Sequence, residues 1–242
     1  MKKLLLLFPV LILIFTTTIQ AQDKKVAVVT FYVNKQIDVS DFGTANTADA
    51  VLRLANDPNF KLTPSFKRFH DQFFGDCLKN FPLQFLPEEQ VIKNDSYRDF
   101  APEMKASANL LEDDVNLPIK GYKVVQSLKS TENEKKLLQM FNDCDGIMKV
   151  YVDFDLQKKG FGGVAVVKVN ARAHIIIYNK AGDKVFSIKE EALSKISGAL
   201  VQGIPFVTPA KVQPLCESAL DELMMALFRD LPALAKRADR KL

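Results

Sequence analysis

"IMKVYVDFDLQKKGFGGVAVVKVNARAHIIIYNKAGDKVFSIK" (residues 147–189) decides the fold. From Ile147 to Leu156 the residues alternate: Met148, Val150, Val152, Phe154 and Leu156 share one face, and Lys149, Asp153 and Asp155 the other. Between Val164 and Tyr178 the alternation returns, with Val167, Val169, Ala171, Ala173, Ile175 and Ile177 on the apolar side and Lys168, Asn170, Arg172 and His174 on the polar side. A period of two is the signature of a strand with one greasy and one wet face. "QKKGFGG" and "NKAGDK" supply the turns, so the region reads as a three-strand antiparallel meander.

Upstream, "STENEKKLLQMFNDCDG" (130–146) is helical. Leu137, Leu138 and Phe141 form its apolar face, and Thr131 and Glu134 have the spacing of a capping box. "KKVAVVTFYV" (24–33) is β-branched and aromatic without a turn residue, as in a strand buried on both faces. "NTADAVLRLAND" (46–57) reads as a short helix capped by Asn46 or Thr47, with Pro58 closing it. In "PSFKRFHDQFFGDCLKNFP" (64–82), Phe66, Phe69, Phe73 and Cys77 fall on one helical face and Pro82 ends the helix. His70 reads as a rim residue. A short strand is expected near Glu89–Ile92, and helical character over Ser96–Val115. "NLPIKGYKVVQSLK" (116–129) looks loop-like with a short extended piece. The last helix is expected from Pro214 to Arg229, with Pro232 breaking it before a basic tail.

The fold class is therefore α/β (α+β): a mixed sheet with a C-terminal three-strand antiparallel meander, and helices packed on one face. Residues 22–242 form a single domain with an insertion over 94–130, and 1–21 form a signal peptide. The leader has Lys2 and Lys3, then an apolar run from Leu4 to Phe15, then small and polar residues to Ala21. An uncleaved anchor is the alternative. The first cysteine is Cys77, so a lipid-modified N-terminus is not expected. The chain is expected to be exported, periplasmic or envelope-associated.

Composition excludes several functions. Of 33 basic residues, two lie in the leader; the remaining 31 stand against 29 acidic ones, a net charge of +2. That balance argues against nucleic acid as a partner. Eighteen phenylalanines and no tryptophan leave material for a sizeable core. With three cysteines in an exported chain, at least one thiol is free or paired between chains. Cys77 and Cys216 read as small core hydrophobes. "GFGGVA" (160–165) has the letters of a dinucleotide fingerprint, but a strand follows where a helix is required. No metal or cofactor is expected: two histidines and unpaired cysteine spacings build no zinc site, and the acidic stretches lack a calcium-loop pattern. A Cys144–His174 nucleophile pair has no local sign of activation. No catalytic residue is assigned, and the chain is not expected to be an enzyme.

Two candidate binding regions remain. Lys168, Asn170, Arg172 and His174 line one strand face; Asp153 and Asp155 on the neighbouring strand are available for cross-strand pairing. "ISGALVQGIPFVTPA" (196–210) carries no charge and is broken by Gly198, Gly203, Pro205 and Pro209. It reads either as a buried connection or as an exposed apolar loop, with Leu200, Val201, Ile204 and Phe206 as its contact residues. The basic residues Lys236, Arg237, Arg240 and Lys241 of the tail add positive charge.

An exported chain that opens with "KKVAVVTF" (24–31), carries "DCDGIMKVYVDF" (143–154) after a helix and ends on a long helix resembles the TolB N-terminal, CsgG and LpoB-like envelope modules. Asp145-Gly146 stands where their meander begins. The resemblance is one of topology, over 24–33, 65–93 and 131–230. It implies a non-enzymatic accessory protein of assembly or transport, with envelope proteins or its own copies as partners; contact with a membrane surface is an expectation of the apolar stretch 196–210 and the basic tail. No family residue carries over by position. The lipidated cysteine common in these groups is missing, and 94–130 has no counterpart. The alternative is an exported hydrolase or small-ligand-binding protein with its site on the polar sheet face.

Overall fold

The β-branched run near the start forms β1 (Lys25–Asp38), and residues 26 to 33 are all buried. The computed structural model describes residues 24–42, 45–104, 115–128, 130–161, 164–201 and 204–239. The expected leader, Gly203, Arg240 and Lys241 lie outside them. The other strands are β2 (Gln84–Phe85), β3 (Asn116–Pro118), β4 (Gly146–Phe161), β5 (Val164–Asn179), β6 (Lys184–Leu193), β7 (Gly198–Val201) and β8 (Ile204–Pro205). The spatial order is β2-β1-β4-β5-β7-β8, with β3 added beside β1 and β6 beside β5.

β1 runs parallel to β4. β4, β5 and β6 are antiparallel in succession, which is the expected meander inside a mixed sheet. The turn from β5 to β6 closes because Asn179 Oδ1 accepts from the Asp183 N–H at 2.9 Å and Gly182 takes φ +85°. β5 has two neighbours on its far side. Asn170 to Tyr178 pair with β6, and Val166 and Val167 pair with β7.

The helices are α1 (Ala45–Asn56), α2 (Thr63–Gln72), α3 (Glu88–Ile92), α4 (Asp95–Asp99), α5 (Glu132–Met140) and α6 (Pro209–Asp239). α2 continues through a π turn (Phe73–Cys77) and a 3-10 turn (Leu78–Asn80) and ends at Phe81, which is extended ahead of Pro82. Its apolar stripe meets Phe31 of β1, whose ring lies 5.4 Å from Phe66 and 5.5 Å from Phe73. Cys77 Sγ sits 3.6 Å from Met224 Sδ, which locks α2's continuation to α6. α6 buries Leu215, Ala219, Leu220 and Leu223 and packs on β5 and β6. Burying each large aliphatic or aromatic side chain stabilises the fold by about 1.5–3 kcal/mol relative to exposure.

Part of the opposite face is covered too. Tyr97 of α4 donates its hydroxyl to the Val29 carbonyl at 2.8 Å and accepts from the Lys123 N–H at 2.9 Å. Thr30 Oγ1 donates to the Lys123 carbonyl at 2.6 Å and accepts from the Val125 N–H at 3.2 Å. The 94–130 stretch is thus stitched onto β1. α5 joins it through Phe141, whose ring is 5.8 Å from that of Tyr97.

The structure corrects several local expectations. Residues 88 to 92 form α3 and not a strand, because Pro87 followed by Glu88 and Glu89 starts a helix; the short strand is Gln84–Phe85. Of Ser96–Val115, the stretch to Asp99 is helical and residues 101–104 are irregular, since Pro102 excludes Ala101 from the helix. Residues 105–114 lie outside the described set. Thr131 makes no side-chain cap, because Glu134 turns inward. α6 starts at Pro209 and continues through both Pro214 and Pro232. Each proline costs one ladder hydrogen bond, but Val212 and Leu231 are buried near them and hold the helix to the core. Lys236 and Arg237 are in this helix. His70 is buried, with Nδ1 3.1 Å from Asp71 Oδ1 and Nε2 3.0 Å from Glu88 Oε1. All three cysteines are free and buried.

Candidate functional site: a self-paired polar face and an apolar hairpin

The β4–β5 register sets Tyr151 opposite His174, Asp153 opposite Arg172, Asp155 opposite Asn170 and Gln157 opposite Lys168. The polar residues named from the sequence therefore meet a matching row. Asp153 accepts from Arg172 Nε and stands 2.8 Å from His174 Nε2. Arg172 Nη1 reaches Asp155 Oδ1 at 3.1 Å. Asp155 also accepts from Asn170 Nδ2 at 3.1 Å and Gln157 Nε2 at 2.6 Å. Lys168 is drawn aside, donating Nζ to the carbonyls of Ser194 (2.7 Å) and Lys195 (3.1 Å).

Burial pushes the Asp153 carboxyl up, but the hydrogen bonds from His174 and Arg172 and the guanidinium charge outweigh it, so the group is held below its ordinary value. Burial disfavours the Arg172 charge, and Asp153 and Asp155 more than compensate, raising its pKa. Three rings stack beside this network. Tyr32 and Tyr151 are 5.3 Å apart and nearly parallel, and Tyr151 and His174 are 4.5 Å apart. Burial raises the pKa of both tyrosines.

β1 bulges next to this network. Val33 pairs with Val152 and Ile37 with Phe154, so Asn34, Lys35 and Gln36 stand against Asp153 alone. A cleft of about 410 Å³ opens at the bulge, with Asn34, Gln36, Asp38, Asp153 and Arg172 in its lining. Tyr32, Tyr151, Asn34, Gln36 and Asp38 belong to this surface and were not singled out from the sequence. Asn34 carries one trace, a side chain that accepts from the Gln36 N–H at 2.8 Å and bends the strand.

Chemically the face is a set of satisfied ion pairs. Both Asp153 oxygens are occupied. Cys144 offers no nucleophile to His174. It precedes β4, whereas His174 pairs with Tyr151 well along it, out of contact at about 3.4 Å per residue. Burial also pushes the Cys144 thiol up to about 11. No cluster of three metal-ligating side chains exists among the described residues.

The second region is a small hairpin. Leu200 pairs with Pro205 and Val201 with Ile204. Leu200 is partly buried against the core. The side chain of Val201 lies outside the described set. Ile204 and Phe206 are 47% and 51% exposed, and Ile196 before the hairpin is 47% exposed. Ile196 and Phe206 are not isolated: with Pro205 they border a cleft of about 320 Å³ floored by Leu156, Val167 and Leu215. The buried connection and the exposed loop are both present, on alternate residues of one hairpin.

Among the described residues, no helix is long and apolar enough to cross a membrane. No protein-family model matches the chain, and no curated protein does. Among solved structures, a hypothetical protein of Chlamydia trachomatis is similar over 85% of this chain and 98% of its own, at 8% identity and a TM-score of 0.34. A minor lipoprotein of Acinetobacter baumannii is similar over 43% of this chain and 83% of its own, at 15% identity and a TM-score of 0.26. Likenesses at these scores carry no functional argument, and the envelope reading rests on the chain's own residues.

Proposed function

We propose that this chain is a non-enzymatic, exported accessory protein of the cell envelope that acts by binding through the β7–β8 hairpin. The observation that carries the reading is the exposure of Ile196 and Phe206 at the rim of an apolar cleft, with Ile204 exposed two residues before Phe206 on the same hairpin. Large apolar side chains grouped at a cleft mark an interaction surface, whereas singly scattered ones do not. The polar face supports the same reading by contrast, because its charges are spent on one another. The basic, then apolar, N-terminal stretch supports export.

The test is site-specific photo-crosslinking in cells from position 206, with position 189 on exposed Lys189 of β6 as the control. A defined envelope component captured from 206, and lost in an Ile204→Ser/Phe206→Ser chain that still folds, is the expected result. Equal capture from 206 and 189, or none from 206, overturns it.

A second reading is favoured by the bulge cleft alone, which has the volume of a small-ligand site and places Arg172 and Asp153 in its wall. It takes the form of a small-ligand-binding protein or hydrolase using His174. A soluble ligand whose binding shifts the His174 ring resonances and is abolished by Arg172→Ala would establish it. A panel of small polar ligands that leaves those resonances unmoved would remove it.

A further inference from the structure

The hairpin belongs to a larger corner that only the fold assembles. Lys158 and Lys159, near the end of β4, pair with Val167 and Val166 of β5; those two residues pair in turn with Gly198 and Ala199 of β7. Lys168 is clasped to the carbonyls of Ser194 and Lys195. Lys211, in the first turn of α6, lines the same cleft as Ile196 and Phe206. The two segments that build the corner, 156–168 and 192–216, contain five lysines (158, 159, 168, 195 and 211) and not one aspartate or glutamate. In a chain otherwise close to charge balance, that is a strong local excess. The nearest acids in sequence are Asp155, engaged by Arg172, Asn170 and Gln157; Glu191, which Lys189 Nζ approaches at 3.4 Å; and Glu217, engaged by Gln213. Asp57 lines the adjoining surface at the start of α6.

We propose that this corner is a docking site for an anionic phospholipid bilayer, with Ile196, Ile204 and Phe206 entering the interface and Lys158, on the Leu156 face of β4, together with Lys195 and Lys211 facing the headgroups. The inference rests on the hairpin reading above and names its partner. Charge complementarity selects an anionic surface. The exposed apolar side chains select a bilayer over a soluble polyanion, since they gain nothing against a fully hydrated phosphate backbone and leave water at a headgroup–acyl boundary. Lysine without arginine fits as well, because its compact charge is attracted by a surface potential and needs no bidentate geometry. Neither component is sufficient alone: the apolar set is three side chains, and exposed lysines are screened within a Debye length.

The experiment is vesicle co-sedimentation with the chain from residue 22 onward, which retains every described element and omits the apolar leader. The probes are vesicles of phosphatidylcholine alone and of phosphatidylcholine mixed with phosphatidylglycerol. Binding is expected only with phosphatidylglycerol, weakening steeply as salt is raised. Lys158→Glu and Lys195→Glu/Lys211→Glu should each reduce partitioning on the order of tenfold or more. Ile204→Ser/Phe206→Ser should do the same at constant charge. All are surface changes, and unaltered circular dichroism and melting confirm that each variant folds.

Equal binding to both vesicle types overturns the proposal, as does no binding to either, or binding that these variants leave unchanged. The two readings fail separately. Absent vesicle binding with capture of one protein from position 206 removes the bilayer and keeps the hairpin. Absent vesicle binding with no capture removes both.

Discussion

Lys149 Nζ lies 2.6 Å from Glu134 Oε1, and the two side chains are 0% and 2% exposed. The ammonium also donates to the Gln126 carbonyl at 3.1 Å, and sits 5.8 Å from the centre of the Tyr178 ring. Burial pushes the Lys149 pKa down, and the hydrogen bond it donates to Glu134 opposes this. The pair ties α5 and the 94–130 stretch to the sheet. A buried pair adds little over an apolar replacement, but losing one partner strands the other charge. Lys149→Ala and Glu134→Ala should each cost about 3–5 kcal/mol in urea unfolding, while Lys149→Met/Glu134→Leu should recover most of that loss.

Asp153 gives the fold an acid-sensitive component. Its carboxyl titrates below the ordinary value of 3.8 in the native state. A group depressed on folding contributes stability above its unfolded value and loses it as pH falls through its folded one. Stability should therefore drop below about pH 4 more steeply in the native chain than in Asp153→Asn. Thermal melts of both across pH 2–7 check this, and parallel curves would contradict it.

The three thiols should be silent in the folded protein. Burial pushes Cys77 up to about 12 and Cys144 up to about 11, and raises Cys216 as well. The thiolate is the reactive form, so an aromatic disulfide reagent at neutral pH should label none on the timescale of mixing. In denaturant it should label all three, with no prior reduction.

Gly198 is needed where β7 crosses β5. A Cβ there would stand 2.7 Å from Val167 Cγ1 and 3.3 Å from Leu215 Cδ1. Val167 is buried and its β-branched side chain has little rotamer freedom. Gly198→Ala should destabilise by about 1–3 kcal/mol and shift the hairpin, visible as altered Phe206 resonances.

The strands and the main helices were legible because their periods survive in the residues. β4 and β5 alternate along their length, and the Phe66, Phe69, Phe73 and Cys77 stripe marks a helix face directly. What covers a face is not written in its period. Lys149 belongs to the polar row, and alternation groups it with Asp153; the cover comes from 94–130, a stretch with no periodicity of its own. Glu134 shows the same limit. Its spacing from Thr131 fits a cap, yet a buried ammonium outcompetes a backbone N–H for the carboxylate. Of the candidate sites, the sequence marked the residues of both but not their condition. Arg172 and His174 were visible, while their saturation by Asp153 depends on cross-strand register. The β1 bulge left only Asn34 as a clue. The lysine corner was out of reach because the end of β4 and the start of β7 are joined only through β5, where Val167 pairs with both Lys158 and Gly198.

The pairing of β1 with β4 has a consequence for when the protein can fold. The Lys25 N–H donates to Asp145 Oδ2 across 120 residues of chain, and the parallel ladder begins just beyond it. Closing so long a loop is entropically costly, and contacts of that separation form late. The meander, built from adjacent hairpins, assembles first and offers β4 as the template on which β1 docks. Until residue 146 has been synthesised, the most apolar strand of the molecule has only the short β2 and β3 to pair with. A nascent chain ending before β4 should then stay protease-sensitive throughout, and protection should arrive in one step as the meander is completed. Late closure of this kind keeps a newly made polypeptide threadable for most of its synthesis.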